Sequence, residues 1–181
     1  LLRIRSELMQ DAVQPNKSGM AAIIGLNCDT INELIIENNL DLEIANDNSP
    51  AQIVISGMKD LLINSENIFK EAGAKRFLLL NVSAAFHSKL MIKAQDKLKN
   101  IIETIKFEKS KIKIISNYTG KICDNNYQIM ENLSLQMANR VRWVESIHNL
   151  KKTNDNKIIE IGPGKVLSGL IKRIDGNFNI I

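Results

Sequence analysis

Two cysteines, two histidines and an aromatic share of 4 % leave little room for several common chemistries. Cys28 and Cys123 stand far apart, neither in a Cys-x-x-Cys pair nor near a histidine at metal-ligand spacing. They read as free thiols suited to a reducing cytosol, with no metal expected. No apolar run reaches the roughly 18 residues a membrane span needs, and no signal peptide opens the chain. A cytoplasmic location without a membrane partner is therefore expected. Stacking aromatics interleaved with basic residues are also missing, which argues against nucleic acid. Nor does one sign of charge dominate: 24 Lys and Arg oppose 20 Asp and Glu, leaving +4. Mild basicity of this kind suits an acidic partner, such as a phosphorylated cofactor or an acidic carrier protein.

What is present is enough for one good core and a small second lobe: 181 residues, 44 % hydrophobic. Leu1, Leu2, Ile4, Leu8, Met9 and Val13 recur at helical spacing, with Arg3, Arg5, Glu7 and Asp11 among them, so the chain opens on an amphipathic helix ended by Pro15. Because it starts inside that helix without a methionine, a missing N-terminal portion is expected. From Gly19 to Leu80 the pattern runs strand, helix, strand, strand, helix, strand. The segments are Met20–Ile24, Thr30–Asn38, Leu42–Ala45, Gln52–Ile55, a helix from Met58 to Ala72 closed by Gly73, and Lys75–Leu80. This order predicts a ferredoxin-like βαββαβ unit. Asn46-Asp-Asn-Ser-Pro-Ala-Gln52, rich in turn formers, reads as the loop between its middle strands.

The apolar run Phe77-Leu-Leu-Leu80 reads as a buried strand leading into Asn81-Val-Ser-Ala-Ala-Phe-His-Ser-Lys-Leu-Met91, and a helical pattern from Lys89 through Leu98 to Ile105 leads out. His87 thus occupies a strand-to-helix turn, where backbone N–H groups are free. Beside Phe86 it reads either as a packed or capping histidine or as a proton carrier, and Ser88 as a helix cap. Lys111–Asn117 reads as a strand returning to a main sheet, followed by a Thr119-Gly120 turn and a helical region through Asn132–Trp143. Trp143, Val144, Ile147 and Leu150 mark a further amphipathic helix, with His148 structural or exposed. Ile158–Ile161 reads as a short buried strand, and Gly162-Pro-Gly164 opens a last helix in which Gly169 allows close packing. Gly164-Lys165 is no phosphate loop, since Ile159 and Val166 stand where that motif needs glycine and a hydroxyl.

Two stretches together, Val82-Ser-Ala-Ala-Phe-His-Ser-Lys-Leu-Met91 and Glu160-Ile-Gly-Pro-Gly-Lys-Val-Leu-Ser-Gly-Leu170, resemble motifs of the malonyl-CoA:acyl-carrier-protein transacylases of bacterial fatty-acid synthesis. The resemblance runs from residue 1 to about residue 175. It implies a partial α/β-hydrolase-like main domain (1–17 and 81–181) with an inserted ferredoxin-like subdomain (18–80). It implies His87 as the catalytic base and Gln136 as the residue whose backbone carbonyl orients the imidazole. Arg5, followed by Ser6-Glu-Leu-Met-Gln10, takes the place of an arginine that grips the substrate carboxylate, with Arg3 as its decoy. Asn48 takes the place of a cleft-lining residue, and Asn117 that of an asparagine at a strand's end whose amide supports the histidine or the substrate. Arg140 stands where the family usually has proline, which alters the turn after Gln136.

The function so implied is malonyl transfer from malonyl-CoA to the phosphopantetheine thiol of acyl carrier protein through a serine acyl-enzyme, without a cofactor. The serine of such enzymes sits in a Gly-His-Ser-Leu-Gly elbow. No serine here lies in Gly-x-Ser-x-Gly; Ser18, Ser56 and Ser168 precede glycines but lack the leading one. The expectation is a chain carrying the histidine and arginine, partnered by a separate fragment with the nucleophile and inactive alone. The alternative is an inactive gene remnant or a non-catalytic carrier-protein-binding module.

Overall fold

Alternation along two strands builds the centre of the molecule. In the computed structural model, which describes residues 1–14, 16–153 and 156–181, β1 (Ser18–Ile24) and β3 (Gln52–Met58) run antiparallel with Ala21 opposite Ile55 and Ile23 opposite Ile53. Their side chains bury on both faces of the sheet, as successive residues of a central strand must when both faces are covered. One face carries Ala21, Ile23, Ile53 and Ile55 against α2 (Cys28–Glu37) and α3 (Lys59–Glu71), through Ile31, Ile35, Leu62 and Phe69. The other carries Met20, Ala22, Ala45 and Val54 against Val82 and Phe86. That second packing lays the 81–88 segment across the sheet.

The sheet has five strands in the order β4-β1-β3-β2-β5, with β2 (Leu42–Ser49), β4 (Arg76–Leu79) and β5 (Val141–Arg142). The expected succession of strands and helices from β1 to β4 is present, in a mixed α/β fold. Helix α2 starts earlier than the composition indicates, because the Asn27 side chain accepts from Thr30 N at 2.8 Å and caps it there. Helix α3 closes at Gly73, whose φ of 102° only glycine adopts without strain.

A second core joins α1 (Leu2–Asp11), α4 (Ile92–Glu103) and α5 (Asn126–Leu135). Met9 meets Ala84, Met91, Leu98, Ile102 and Met137 there, which ties the first helix to the segment around His87. A third gathers Ile147 of α6 (Trp143–Lys151), Ile171 of α7 (Val166–Ile174) and Phe178, beside the two-stranded parallel sheet of β6 (Lys157–Ile158) and β7 (Asn179–Ile180). Among the described residues, no helix is long and apolar enough to cross a membrane.

Several expectations fail, each for a physical reason. Asn46–Ser49 are strand, not loop, since pairing with β3 and β5 outweighs their turn preference; only Pro50 and Ala51 turn. Lys111–Asn117 forms no strand: Ile115 bridges Ile122 alone, and Ile112 and Ile114 are exposed. Its alternation has no neighbour to pair with among the described residues. Of Phe77–Leu80 only Phe77 is buried, because β4 is an edge strand. Of Ile158–Ile161 only Ile158 pairs, as the second residue of β6, and Ile159 and Ile161 are exposed. The region Asn132–Trp143 is not one helix; α5 ends at Leu135 and β5 intervenes. A methyl group at Gly169 would meet nothing within 4 Å, so close packing does not explain that glycine. Pro15, expected to end α1, lies outside the described residues.

Candidate active site

The turn carrying His87 is tied down on several sides. Ala85 N donates to the buried Ser18 Oγ at 3.1 Å, His87 N donates to Met137 O at 3.2 Å, and Lys89 N donates to Glu43 Oε2 at 2.6 Å. Ser88 is not the expected cap: its hydroxyl is buried and donates back to Ala85 O at 2.7 Å, closing the turn on itself. The 3₁₀ turn Lys89–Met91 and α4 follow directly. So constrained, His87 takes φ of 58°, a left-handed conformation uncommon outside glycine and asparagine. Such strain persists only where the surroundings impose it.

The imidazole is held by the turn after α5. Nδ1 lies 3.0 Å from Gln136 O and 3.1 Å from Asn139 O. Both partners are carbonyls, which only accept, so Nδ1 carries the hydrogen and Nε2 of the neutral ring is left with a lone pair. Burial pushes the His87 pKa below its ordinary 6.5; the two carbonyl acceptors oppose this, and the charge of Arg5 adds to it. The net effect favours a neutral imidazole, the form that accepts a proton.

Gln136 also reaches sideways. Its side-chain oxygen accepts from Arg5 Nη2 at 3.4 Å, and its amide nitrogen donates to Asn117 Oδ1. Arg5 is half-buried, and desolvation lowers the pKa of its guanidinium. Arg3, one residue pair away, points to solvent and pairs with Glu7. Helical spacing explains the choice: Arg5 lies four residues before the buried Met9 and shares its face. His87, Gln136, Arg5 and Asn117 are thus joined in one network. Asn48 is half-buried on β2 and is not on the walls of the cavity beside His87.

That cavity, about 450 Å³, opens between β2, the start of α4 and the 138–140 turn, with His87, Lys89, Asn139 and Arg140 among its walls. Arg140 does not displace the Gln136 carbonyl from the ring. Its guanidinium turns to Cys28 Sγ at 3.1 Å and Glu145 Oε1 at 3.3 Å, while Asn139 Nδ2 donates to Leu135 O at 2.7 Å and closes the helix end. Both cysteines are free thiols. His148 is exposed on α6, as expected. The second carbonyl acceptor, Asn139 O, and the Ser18 anchor escape sequence reasoning, since a main-chain acceptor leaves no trace in residue type and a serine opening a strand is unremarked. Among the described residues, no group of three or more His, Cys, Asp and Glu is placed to hold a metal.

Residues 1–174 match the acyl transferase domain family. The chain belongs to that family. Over 183 residues this acyltransferase chain is 37 % identical to the malonyl CoA-acyl carrier protein transacylase of Bacillus subtilis, covering 99 % of the chain and 58 % of that protein. It superimposes on the acyl-carrier-protein S-malonyltransferase of Burkholderia pseudomallei with a TM-score of 0.94 at 41 % identity, covering 99 % of the chain and 59 % of that structure. A malonyl-transacylase solved in complex with its type II polyketide-synthase acyl-carrier protein gives 0.93 at 36 % identity, covering 99 % of the chain and 60 % of that structure. The acyltransferase chain therefore spans somewhat under two thirds of the length of these relatives.

Proposed function

We propose that this acyltransferase chain supplies the proton carrier and the carboxylate grip for malonyl transfer from malonyl-CoA to the phosphopantetheine thiol of an acyl carrier protein. One observation carries the reading: two main-chain carbonyls hold His87 Nδ1, so Nε2 presents a lone pair in a network that also holds Arg5. The names of the relatives give the acyl group and the acceptor.

In this reading a serine hydroxyl attacks the malonyl thioester carbonyl while His87 Nε2 takes its proton. The tetrahedral intermediate collapses, the C–S bond breaks, and the imidazolium returns the proton to the departing CoA sulfur. The carrier thiol then attacks the resulting ester, gives its proton to Nε2, and the proton passes to the serine oxygen as the C–O bond breaks. Arg5 pairs with the free carboxylate throughout, using donors that Gln136 leaves uncommitted. Asn117 acts through Gln136, and Asn48 stands on β2 outside the cavity beside His87. The chemistry calls for no metal or cofactor beyond the CoA and phosphopantetheine of the substrates, and for a cytoplasmic setting. The attacking serine belongs to a Gly-His-Ser-Leu-Gly elbow, a motif not found among these 181 residues. Residues 18–80 form the ferredoxin-like subdomain, and residues 1–17 with 81–181 the partial α/β-hydrolase-like domain around it.

The test mixes this chain with a separately made polypeptide carrying that elbow, malonyl-CoA and holo carrier protein, and measures malonyl transfer. Transfer that appears on mixing and disappears with His87→Ala supports the reading. Robust transfer by the lone chain, or carrier binding without transfer in any mixture, overturns it.

A further inference from the structure

The buried face of α4 is interrupted by a polar residue. Met91, Ala94, Leu98 and Ile102 line it, and Gln95 stands among them with only 7 % of its surface exposed. A buried amide must find a partner. The Gln95 side-chain oxygen accepts from Ala138 N at 3.0 Å. Ala138 lies between the two carbonyls, of Gln136 and Asn139, that hold the His87 ring, and next to Met137, whose carbonyl accepts from His87 N. Gln95 is also on the wall of the cavity beside His87. The turn therefore grips His87 three times on one side and is itself gripped by α4 on the other.

We propose that Gln95 is a positioning residue for His87: by holding Ala138 N it sets the spacing of the 136 and 139 carbonyls and so the tautomer of the imidazole. A single rigid helix, α4, then governs both ends of the arrangement, since it also follows directly on the His87 turn. Without the Gln95 bond the turn could rotate about residues 137–138, the two carbonyls would separate, and Nδ1 would keep one acceptor instead of two. The geometric statement stands alone; its consequence for proton transfer rests on the function proposed above.

The ¹⁵N-labelled chain tests it directly, because His87 and His148 are its only histidines and His148→Gln removes the second signal. In the wild-type chain the Ala138 amide should be protected from hydrogen exchange, and neutral His87 should carry its proton on Nδ1. In Gln95→Leu, exchange at Ala138 should accelerate by about tenfold or more, the cost of one lost hydrogen bond, and the ring should become a mixture of tautomers. Gln95→Glu keeps an acceptor oxygen at the same reach and should restore both readings, which a merely space-filling role would not require. An Ala138 amide that exchanges in the wild-type chain as fast as an exposed one overturns the proposal without any variant having to fold. So does a folded Gln95→Leu whose His87 tautomer is unchanged. If no malonyl transfer is found with the wild-type chain, the proposed function fails while these spectra still decide the role of Gln95.

Discussion

Gln136 holds His87 with its main chain and Arg5 with its side chain: the carbonyl oxygen is 3.0 Å from the imidazole Nδ1 and the amide oxygen 3.4 Å from the guanidinium. One residue at the end of α5 thus sets the distance between a proton acceptor and a cation. The side chain can be removed without touching the carbonyl. Gln136→Ala should keep the His87 tautomer and, in a reconstituted enzyme, lower kcat/KM for malonyl-CoA by about fivefold, the worth of one modest hydrogen bond. Steady-state kinetics beside histidine NMR checks both halves, and a changed tautomer would contradict the separation.

Arg5 and Arg3 make an internal comparison. Arg5→Ala should reduce malonyl transfer by about a hundredfold, the loss of a charge-assisted carboxylate pair, while acetyl transfer changes little. Arg5→Lys should recover only part, since an ammonium lacks the planar fork. Arg3→Ala removes only an exposed pair with Glu7 and should leave both rates within about twofold. Equal losses at the two positions would contradict the assignment.

Residue type and spacing alone place His87 in a polar turn between a strand and a helix. Arg5, rather than Arg3, and Gln136 stand out only through the resemblance of the residues around them to family motifs, and Gln136 reads there as part of a helical region that β5 in fact interrupts. What pairs with what is not legible in the chain itself. Among the described residues Lys111–Asn117 has a strand's alternation and no strand beside it, whereas Asn46–Ser49 has a loop's composition and strands on both sides. Partners that lie far along the chain decide such cases. Gln95 did carry a readable signal, a polar residue on the apolar stripe of Met91, Leu98 and Ile102, which calls for a buried hydrogen bond somewhere in the fold.

The buried imidazole makes stability depend on pH. The folded-state pKa of His87 lies below its ordinary 6.5, chiefly through burial, so the unfolded chain binds the proton more readily. Its contribution is complete above pH 6.5 and is lost as the pH falls from there through the folded pKa. Urea denaturation across this window should show a falling midpoint in the wild-type chain and a flatter one in His87→Gln. Parallel curves would contradict it.

Asp47 should behave in the opposite sense. Its carboxyl is buried on β2, and desolvation raises its pKa above the ordinary 3.8 despite the nearby Arg140. Ionisation is therefore harder in the folded chain than in the unfolded one, and stability is lost as the pH rises from 3.8 through the folded value. Asp47→Asn removes that charge. Its Tm should exceed the wild-type value by about 1–3 °C at neutral pH, with the gain vanishing near pH 3, where both side chains are neutral. A lower Tm at neutral pH would mean that attraction to Arg140 outweighs desolvation.

Ser18 anchors the histidine turn from the start of β1, on the sheet face that the turn covers. Ser18 is 3 % exposed, and its hydroxyl accepts from the N–H of Ala85, a wholly buried residue. Ser18→Ala leaves that N–H in the core without a partner, a cost of about 1–3 kcal/mol, equivalent to a Tm lower by about 2–10 °C in a chain of this size. Ser18→Thr keeps the oxygen and should recover most of the loss. The two variants separate anchoring from volume, because alanine and threonine depart from serine in opposite directions of size while only alanine lacks the acceptor. If both lowered Tm equally, packing at the start of β1 would matter and the hydrogen bond would not. If alanine alone did so, the turn that presents His87 would be held from β1 as well as from α5, fixed at both ends before any substrate arrives.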